Sequence, residues 1–399
     1  MPGQQLCSRF MVLNAATATM VICFYYYTHG WMQINNISNR ADITINQDID
    51  VTINSGSDVF QKPTVVNRSV TQTNKVTQYK VSRQEFEYYR ILKNTGTPVS
   101  LLHYYLTPRK EVVFPLNYRF MIAGHGVCKT KRVFLLIMCL STAKNVKKRM
   151  AIRNTWGKVA RNIPWPGESD PHRRVKIMFM FGTPESQTDQ AILKREQVKY
   201  GDVVQADFVD SYRNLTIKVM MGIKWATIYC SGVQYMMKVD DDTFVHVGNL
   251  MKDLKRMQVP TGGLVIGHVH EQPPVQRTEK WAMNFTEFPF KYYPKYASGQ
   301  TYVLSGNILE KLCNVGEHMP YIFIEDVFVT GILRTVINTQ LVASIGYPHV
   351  FMPQVEPCTF QNNVRVAATN VETSHMYKIW NSLSSNNIKD CYKCLTLNC

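Results

Sequence analysis

Tyr235-Met236-Met237-Lys238-Val239-Asp240-Asp241-Asp242-Thr243-Phe244-Val245 is an apolar run broken by three carboxylates. The residues before the break have the density of a buried strand and those after it turn apolar again, so the three charges fall at a strand end inside a fold. Charge in such a place requires a partner. A divalent cation is an economical one, because hard oxygen ligands suit manganese or magnesium and such an ion also grips the two phosphates of a nucleotide. A solvated aspartate-rich turn is the alternative that this stretch alone leaves open, since short acidic motifs recur by chance.

Apolar strands and helical spacing alternate around this corner. Val133 to Cys139 and Val175 to Phe181 read as buried strands, and Val146 to Thr155 and Glu185 to Tyr200 as helices. Asn214 stands as the cap of a helix carrying Leu215, Val219, Ile223, Ala226 and Cys230 on one face, and the strand before the acidic corner follows it. This order predicts an α/β layer fold with a mostly parallel central sheet flanked by helices. Ligands of such sheets sit at the carboxyl ends of strands, where Asp240, Asp241 and Asp242 fall.

A second acidic pair, Glu325-Asp326, precedes Val329, Ile332, Leu333, Val336 and Ile337, which follow the spacing of a helix face. Both carboxylates then lie at a helix amino terminus, where the dipole and free amides favour the ionised form. An ionised carboxylate can act as a general base; an ordinary acidic first turn has the same pattern. Just upstream, Tyr292 to Ser305 combines several tyrosines, Tyr296 among them, with a glycine at Gly299 that allows close backbone approach. That composition suits a sugar-binding wall and equally a core strand.

The chain has 399 residues, 45% of them hydrophobic, enough for a full core and two to three domains. Its 45 basic against 29 acidic residues give +16, which fits an anionic partner. The basic residues are scattered, with short clusters at Lys144 to Arg149 and Arg173 to Lys176, and no nucleic-acid motif accompanies them. Nucleic acid is therefore not an expected partner, and phosphate on a small donor accounts for part of the charge.

Residues 10–27 are apolar, with Arg9 before them and Tyr25-Tyr26-Tyr27 at the far edge. They read as a single-pass anchor that keeps the tail, residues 1–9, cytoplasmic and the body lumenal. A signal peptide cleaved after Ala18 is the rival, although apolar sequence continues to Tyr27. Residues 28–113 read as a lumenal stem and transition region, polar from Gln33 to about Lys80, and residues 114–399 as the compact domain.

Apart from Cys7 and Cys23, eight cysteines remain, Cys128, Cys139, Cys230, Cys313, Cys358, Cys391, Cys394 and Cys399, which can pair fully in an oxidising lumen. Cys391-x-x-Cys394 lacks a second ligand pair for zinc and reads as part of a terminal disulfide knot. Glycosylation acceptors stand at Asn36, Asn67, Asn214 and Asn284.

Five blocks carry a family resemblance. Arg149-Met150-Ala151-Ile152-Arg153-Asn154-Thr155-Trp156-Gly157 resembles the R-x-x-I-R-x-T-W-G signature of the β1,3-galactosyltransferase family. Asp207 to Lys218 resembles its D-F-x-D-S-Y-x-N-L-T-x-K block, Lys238 to Val245 its K-x-D-D-D-x-F-V motif, Tyr293 to Ser305 its Y-P-x-Y-x-S-G-x-x-Y-V-L-S block, and Glu325-Asp326-Val327 its E-D-V motif. They occur in the family's order over about Phe114 to Trp380.

The resemblance implies a GT-A fold in a Golgi membrane protein of type II, a UDP-sugar donor, Mn2+, and inversion at the anomeric carbon to form a β1,3 link. The acceptor implied is a glycan of a glycoprotein or glycolipid, and the sugar moved is most directly galactose. N-acetylglucosaminyl or N-acetylgalactosaminyl transfer is the near alternative, and a catalytically silent glycan-binding relative the alternative from another class. The family base falls on Asp326 and the metal on Asp242, with Asp240 and Asp241 on the ribose side and behind the metal. Arg149, Arg153 and Gly299 join the donor side, the two arginines being equally fit to hold their helix in place; Glu325 and Tyr296 fall on the acceptor side. Trp156 reads as core, and Lys238 serves either the phosphates or the acidic cluster. One position departs from the pattern: the family's metal histidine would fall near Ala368 or Thr369, with His375 and His349 as the nearby substitutes.

Overall fold

Side chains of Leu135–Leu140 alternate between two cores, Leu136, Met138 and Leu140 facing one and Leu135, Ile137 and Cys139 the other. A strand buried on both faces reads as an unbroken apolar run, which is why its sequence does not alternate. The computed structural model describes residues 43–45, 51–53, 104–129, 132–169, 174–347, 354–360 and 365–385. The chain divides into two compact units, residues 1–80 and 81–399. In the first, β1 (Ile43–Ile45) and β2 (Val51–Ile53) pair antiparallel. The anchor expected at residues 10–27 lies outside the described residues, and no described helix is long and apolar enough to cross a membrane.

The second unit holds β3 (Phe120–Ile122), β4 (Leu135–Leu140), β5 (Val175–Thr183), β6 (Val203–Val209), β7 (Tyr235–Asp240), β8 (Phe244–Val245), β9 (Leu264–His270), β10 (Tyr296–Ser305), β11 (Gln340–Ala343) and β12 (Ala367–Ala368). Its helices are α1 (Val146–Asn154), α2 (Gln187–Tyr200), α3 (Leu215–Tyr229), α4 (Val247–Arg256), α5 (Leu309–Gly316), a π-wound segment Val327–Leu333 that runs on into α6 (Arg334–Val336), and α7 (Thr373–Ser384). Tyr105 and Leu106, upstream of Phe114, already pack into the core.

Eight strands form one sheet in the order β11-β9-β10-β7-β4-β5-β6-β3. Its centre, β7-β4-β5-β6, is parallel. Four of the seven pairings are parallel, as expected of a mostly parallel sheet, and the antiparallel ones are those of β10 with β7 and β9 and of β3 with β6. The residues of β10 read as a core strand in either direction; its direction is set by the route of the chain between His270 and Tyr296.

Local chemistry fixes the helices on this sheet. Ser186 caps α2 by accepting from the amides of Thr188 and Asp189, and Gly201 ends it in the left-handed conformation at φ 69°. On α3, a Cβ at Gly222 would lie 2.1 Å from the Met138 sulfur, so glycine sets how closely the helix approaches the sheet. Cys128 and Cys230 form a disulfide that ties the segment after β3 to the end of α3. Of the eight cysteines that could pair, Cys139 and Cys313 are buried thiols in packed elements.

The chain passes from β4 outward to β5 and β6, then returns to β7 on the other side of β4. Strand order reverses there, and the crevice beyond the carboxyl ends of β4 and β7 is where open α/β sheets bind ligands. Register puts Leu140 opposite Asp240, so the Ser141 loop and the acidic corner meet in that crevice.

Candidate active site

β7 delivers Asp240 at its last residue, and the Thr243 amide turns back to the Asp240 carbonyl at 3.2 Å. β8 then pairs with β12, and the Val371 amide donates to the Asp242 carbonyl at 2.8 Å, so the corner is pinned from both sides. Its three side chains diverge. Asp241 turns inward and accepts from Ser141 Oγ at 2.7 Å and Asn145 Nδ2 at 2.8 Å. Asp240 and Asp242 remain partly exposed and each meets an ammonium: Lys238 Nζ lies 2.8 Å from Asp240, and Lys148 Nζ lies 3.1 Å from Asp242 and 3.3 Å from Asp241. Burial raises the Asp240 carboxyl above its ordinary range, against the pull of Lys238.

Asp326 faces this corner from the start of the π-wound segment, a winding that recurs at functional sites. Its Oδ2 accepts from the Gly299 amide at 2.7 Å and its Oδ1 from the Val327 amide at 2.9 Å. Burial raises its carboxyl while Lys238 and the two amides pull it down, and the net direction is upward. A Cβ on Gly299 would lie 2.9 Å from Oδ2, so only glycine fits beside this carboxylate. Lys238 joins the two acidic groups: besides Asp240 it donates to the Gly299 carbonyl and lies 3.6 Å from Glu325 Oε2. Burial opposes its charge, yet Asp240 and Glu325 hold its ammonium above the usual lysine range. Of the two readings of Lys238, neutralising the acidic cluster is the one the contacts match.

Several expected site residues are placed elsewhere. Arg149 is wholly buried, bonding Glu196 at 3.0 and 2.5 Å, Ser141 Oγ at 3.0 Å, and the carbonyls of Thr142 and Ala143. Arg153 pairs with Glu196 at 2.7 Å and Asp202 at 2.8 Å. Of the two readings of these arginines, donor contact and holding their helix, the contacts match the second, because both guanidinium groups are engaged within the protein. Glu325 is buried too, accepting from the Tyr302 hydroxyl at 2.5 Å, and burial pushes its carboxyl up to about 7. It supports Lys238 rather than facing an acceptor. Tyr296 stays half-buried, its ring 4.9 Å from that of His270, and its hydroxyl is raised by burial and by Asp326.

His375 is turned away, its Nε2 2.8 Å from the Val355 carbonyl, and His349 lies outside the described residues. Among the described residues no three His, Cys, Asp or Glu side chains are grouped to hold a metal ion. What the corner offers is two outward hard carboxylates, Asp240 and Asp242, which suits an ion that takes its remaining ligands from water and phosphate. Trp156 is core, as expected, and its indole donates to the Thr243 carbonyl at 3.1 Å. Asn284 is exposed, Asn214 is half-buried with its Nδ2 donating to the Val209 carbonyl at 2.9 Å, and Asn36 and Asn67 lie outside the described residues.

Sequence reasoning missed Ser141, Asn145 and Lys148, which a loop and first helical turn bring under the aspartates. Lys148 was legible only as part of a basic cluster. It also missed the buried pair of Asp210 and Lys218, 2.5 Å apart, with Lys218 Nζ donating to the Ser141 carbonyl at 2.9 Å.

Residues 147–343 match the Galactosyltransferase family model. Among curated proteins, human Beta-1,3-galactosyltransferase 5 is 32% identical over 297 residues, covering 72% of this chain and 91% of that protein. Mouse UDP-GalNAc:beta-1,3-N-acetylgalactosaminyltransferase 1 is 31% identical, covering 58% of this chain and 68% of that protein. A crystal structure of a galactosyltransferase in complex with donor and acceptor sugar analogs covers 62% of this chain and 96% of its own at 10% identity, with a TM-score of 0.33, too distant to argue from.

Proposed function

The chain belongs to the galactosyltransferase family, and from that premise we propose that it is an inverting β1,3-glycosyltransferase that moves galactose from UDP-galactose to a terminal sugar of a glycoprotein or glycolipid. The observation that carries this reading is Asp326, held by two backbone amides opposite the Asp240 to Asp242 corner with Lys238 between them. Asp326 takes the acceptor hydroxyl proton as that oxygen bonds to the anomeric carbon, and the bond from that carbon to the diphosphate breaks on the opposite face. Asp242 with Asp240 would hold Mn2+, which supplies neutralisation of the leaving diphosphate when bound. Lys148, already 3.1 Å from Asp242, adds a positive charge on the same side. The family's histidine position falls near Ala368 or Thr369, so among the described residues the ligands offered are the carboxylate oxygens of Asp240 and Asp242.

The protein would occupy the Golgi membrane through residues 10–27 with its catalytic unit lumenal; the Cys128–Cys230 disulfide suits that oxidising compartment. N-acetylgalactosamine is the second donor to try, given the relative that uses it by name.

A panel of UDP-sugars with the detergent-solubilised protein and Mn2+ tests the reading; UDP-galactose should give the highest turnover. Asp242→Ala should abolish transfer and weaken UDP binding only when Mn2+ is present. Full activity of that variant in chelator would make the corner structural. Gly299→Ala tests the base from another side. The added methyl displaces the Asp326 carboxylate, and since a shift of about 1 Å costs on the order of 100-fold in rate, transfer should fall at least ~10-fold with the fold intact by circular dichroism. Unchanged transfer would mean that the position of Asp326 is not critical.

A further inference from the structure

Two tyrosines of the Tyr292 to Ser305 block, Tyr293 and Tyr302, are buried in the core and cannot line a wall, while Tyr292 and Tyr296 stay half-buried. Exposed rings at the site come from two other segments. Tyr212, in the turn after β6, is 41% exposed, and Trp281, in the excursion between β9 and β10, is 42% exposed. The turn that carries Tyr212 packs on the segment leading to Asp326: the Arg213 guanidinium carbon lies 4.2 Å from the centre of the Phe323 ring, and the Tyr321 hydroxyl donates to the Arg213 carbonyl at 2.5 Å. Lys280 Nζ lies 4.5 Å from the centre of the Tyr212 ring and 5.5 Å from that of Trp281, which braces both.

Two large rings half in water, on a turn that packs against the approach to the half-buried Asp326, need an occupant, since apolar surface next to a site marks binding. The donor is gripped through its diphosphate at the acidic corner. A neutral acceptor offers no charge to hold and must be bound through its ring faces and hydroxyls. We propose that Tyr212 and Trp281 form the platform for the terminal hexopyranose of the acceptor, its C–H face on the rings and its attacking hydroxyl directed to Asp326. This assigns the substrate contact within the transferase reading and rests on it.

The test uses the full-length protein in detergent with methyl β-glycosides of galactose, N-acetylglucosamine and N-acetylgalactosamine as probes. Saturation-transfer NMR should show the preferred glycoside bound to wild type and lost in Trp281→Ala. The same variant should raise the acceptor KM by at least ~10-fold, as for a truncated aromatic anchor, while the Kd for UDP moves less than about 2-fold, the split expected of an acceptor-only contact. Trp281→Phe, which keeps a ring and guards against misfolding, should fall between. An acceptor KM or NMR signal unchanged in Trp281→Ala overturns the platform, as does an equal loss of UDP affinity. If wild type turns over no UDP-sugar, the transferase reading fails on its own, and the glycoside NMR comparison still decides whether these rings bind sugar.

Discussion

Asp326→Asn should lower sugar transfer by at least ~100-fold, the low end expected for removing a positioned base, while leaving the affinity for UDP-sugar and the melting temperature near those of wild type. Asparagine has the size of aspartate, and its Oδ1 can still accept from one of the amides of Gly299 and Val327 that hold the carboxylate. It cannot take the acceptor proton. Because burial raises the Asp326 carboxyl, wild-type transfer should also fall as pH drops through that raised range, where the base becomes protonated. The acid limb of the pH–rate profile should therefore disappear with the substitution. Transfer within a few fold of wild type would place the base elsewhere, and an acid limb surviving in a weakly active variant would assign it to another group.

How far the sequence disclosed this site depended on distance along the chain. Strands such as Val175–Thr183 and helices such as Gln187–Tyr200 were legible within a few residues, because an unbroken apolar run and a helical spacing are local signals. Asp240 to Asp242 were legible as charges in an improbable place, and Asp326 as a carboxylate at the start of a helical pattern. Their meeting was not, because it depends on β10 running antiparallel beside β7 with Thr301 opposite Val239, and no local signal sets a strand's direction. Arg149 shows the same limit from the other side. Its motif marked it as important, but Glu196, which neutralises it, lies on another helix, and only the fold shows that its charge is spent inside the protein.

The acidic corner also depends on a buried pair behind it. Asp210→Asn should destabilise the protein by about 3–5 kcal/mol near neutral pH, as expected when one partner of a buried ion pair is removed. Lys218 and Asp210 are 2.5 Å apart with side chains 2% and 8% exposed, so water cannot replace the lost charge. Burial already lowers the Lys218 ammonium below its ordinary value of 10.5, with Asp210 the main force opposing that shift. Without Asp210 it falls further, whereas in the unfolded chain the lysine keeps its ordinary value. Between the two values the unfolded chain binds more protons, so the variant gains stability as pH rises, by at most about 1.4 kcal/mol per pH unit for one proton. Urea unfolding at several pH values from mildly acidic to alkaline should therefore show the deficit shrinking with rising pH. A deficit independent of pH would mean that Lys218 stays charged and finds another partner, and a loss below about 1 kcal/mol would return the pair to the weak class of ion pairs. Turnover carries a second readout, because Lys218 Nζ holds the Ser141 carbonyl and Ser141 Oγ holds Asp241. A neutral Lys218 donates more weakly, so transfer should fall in the variant even at an alkaline pH where stability has largely returned.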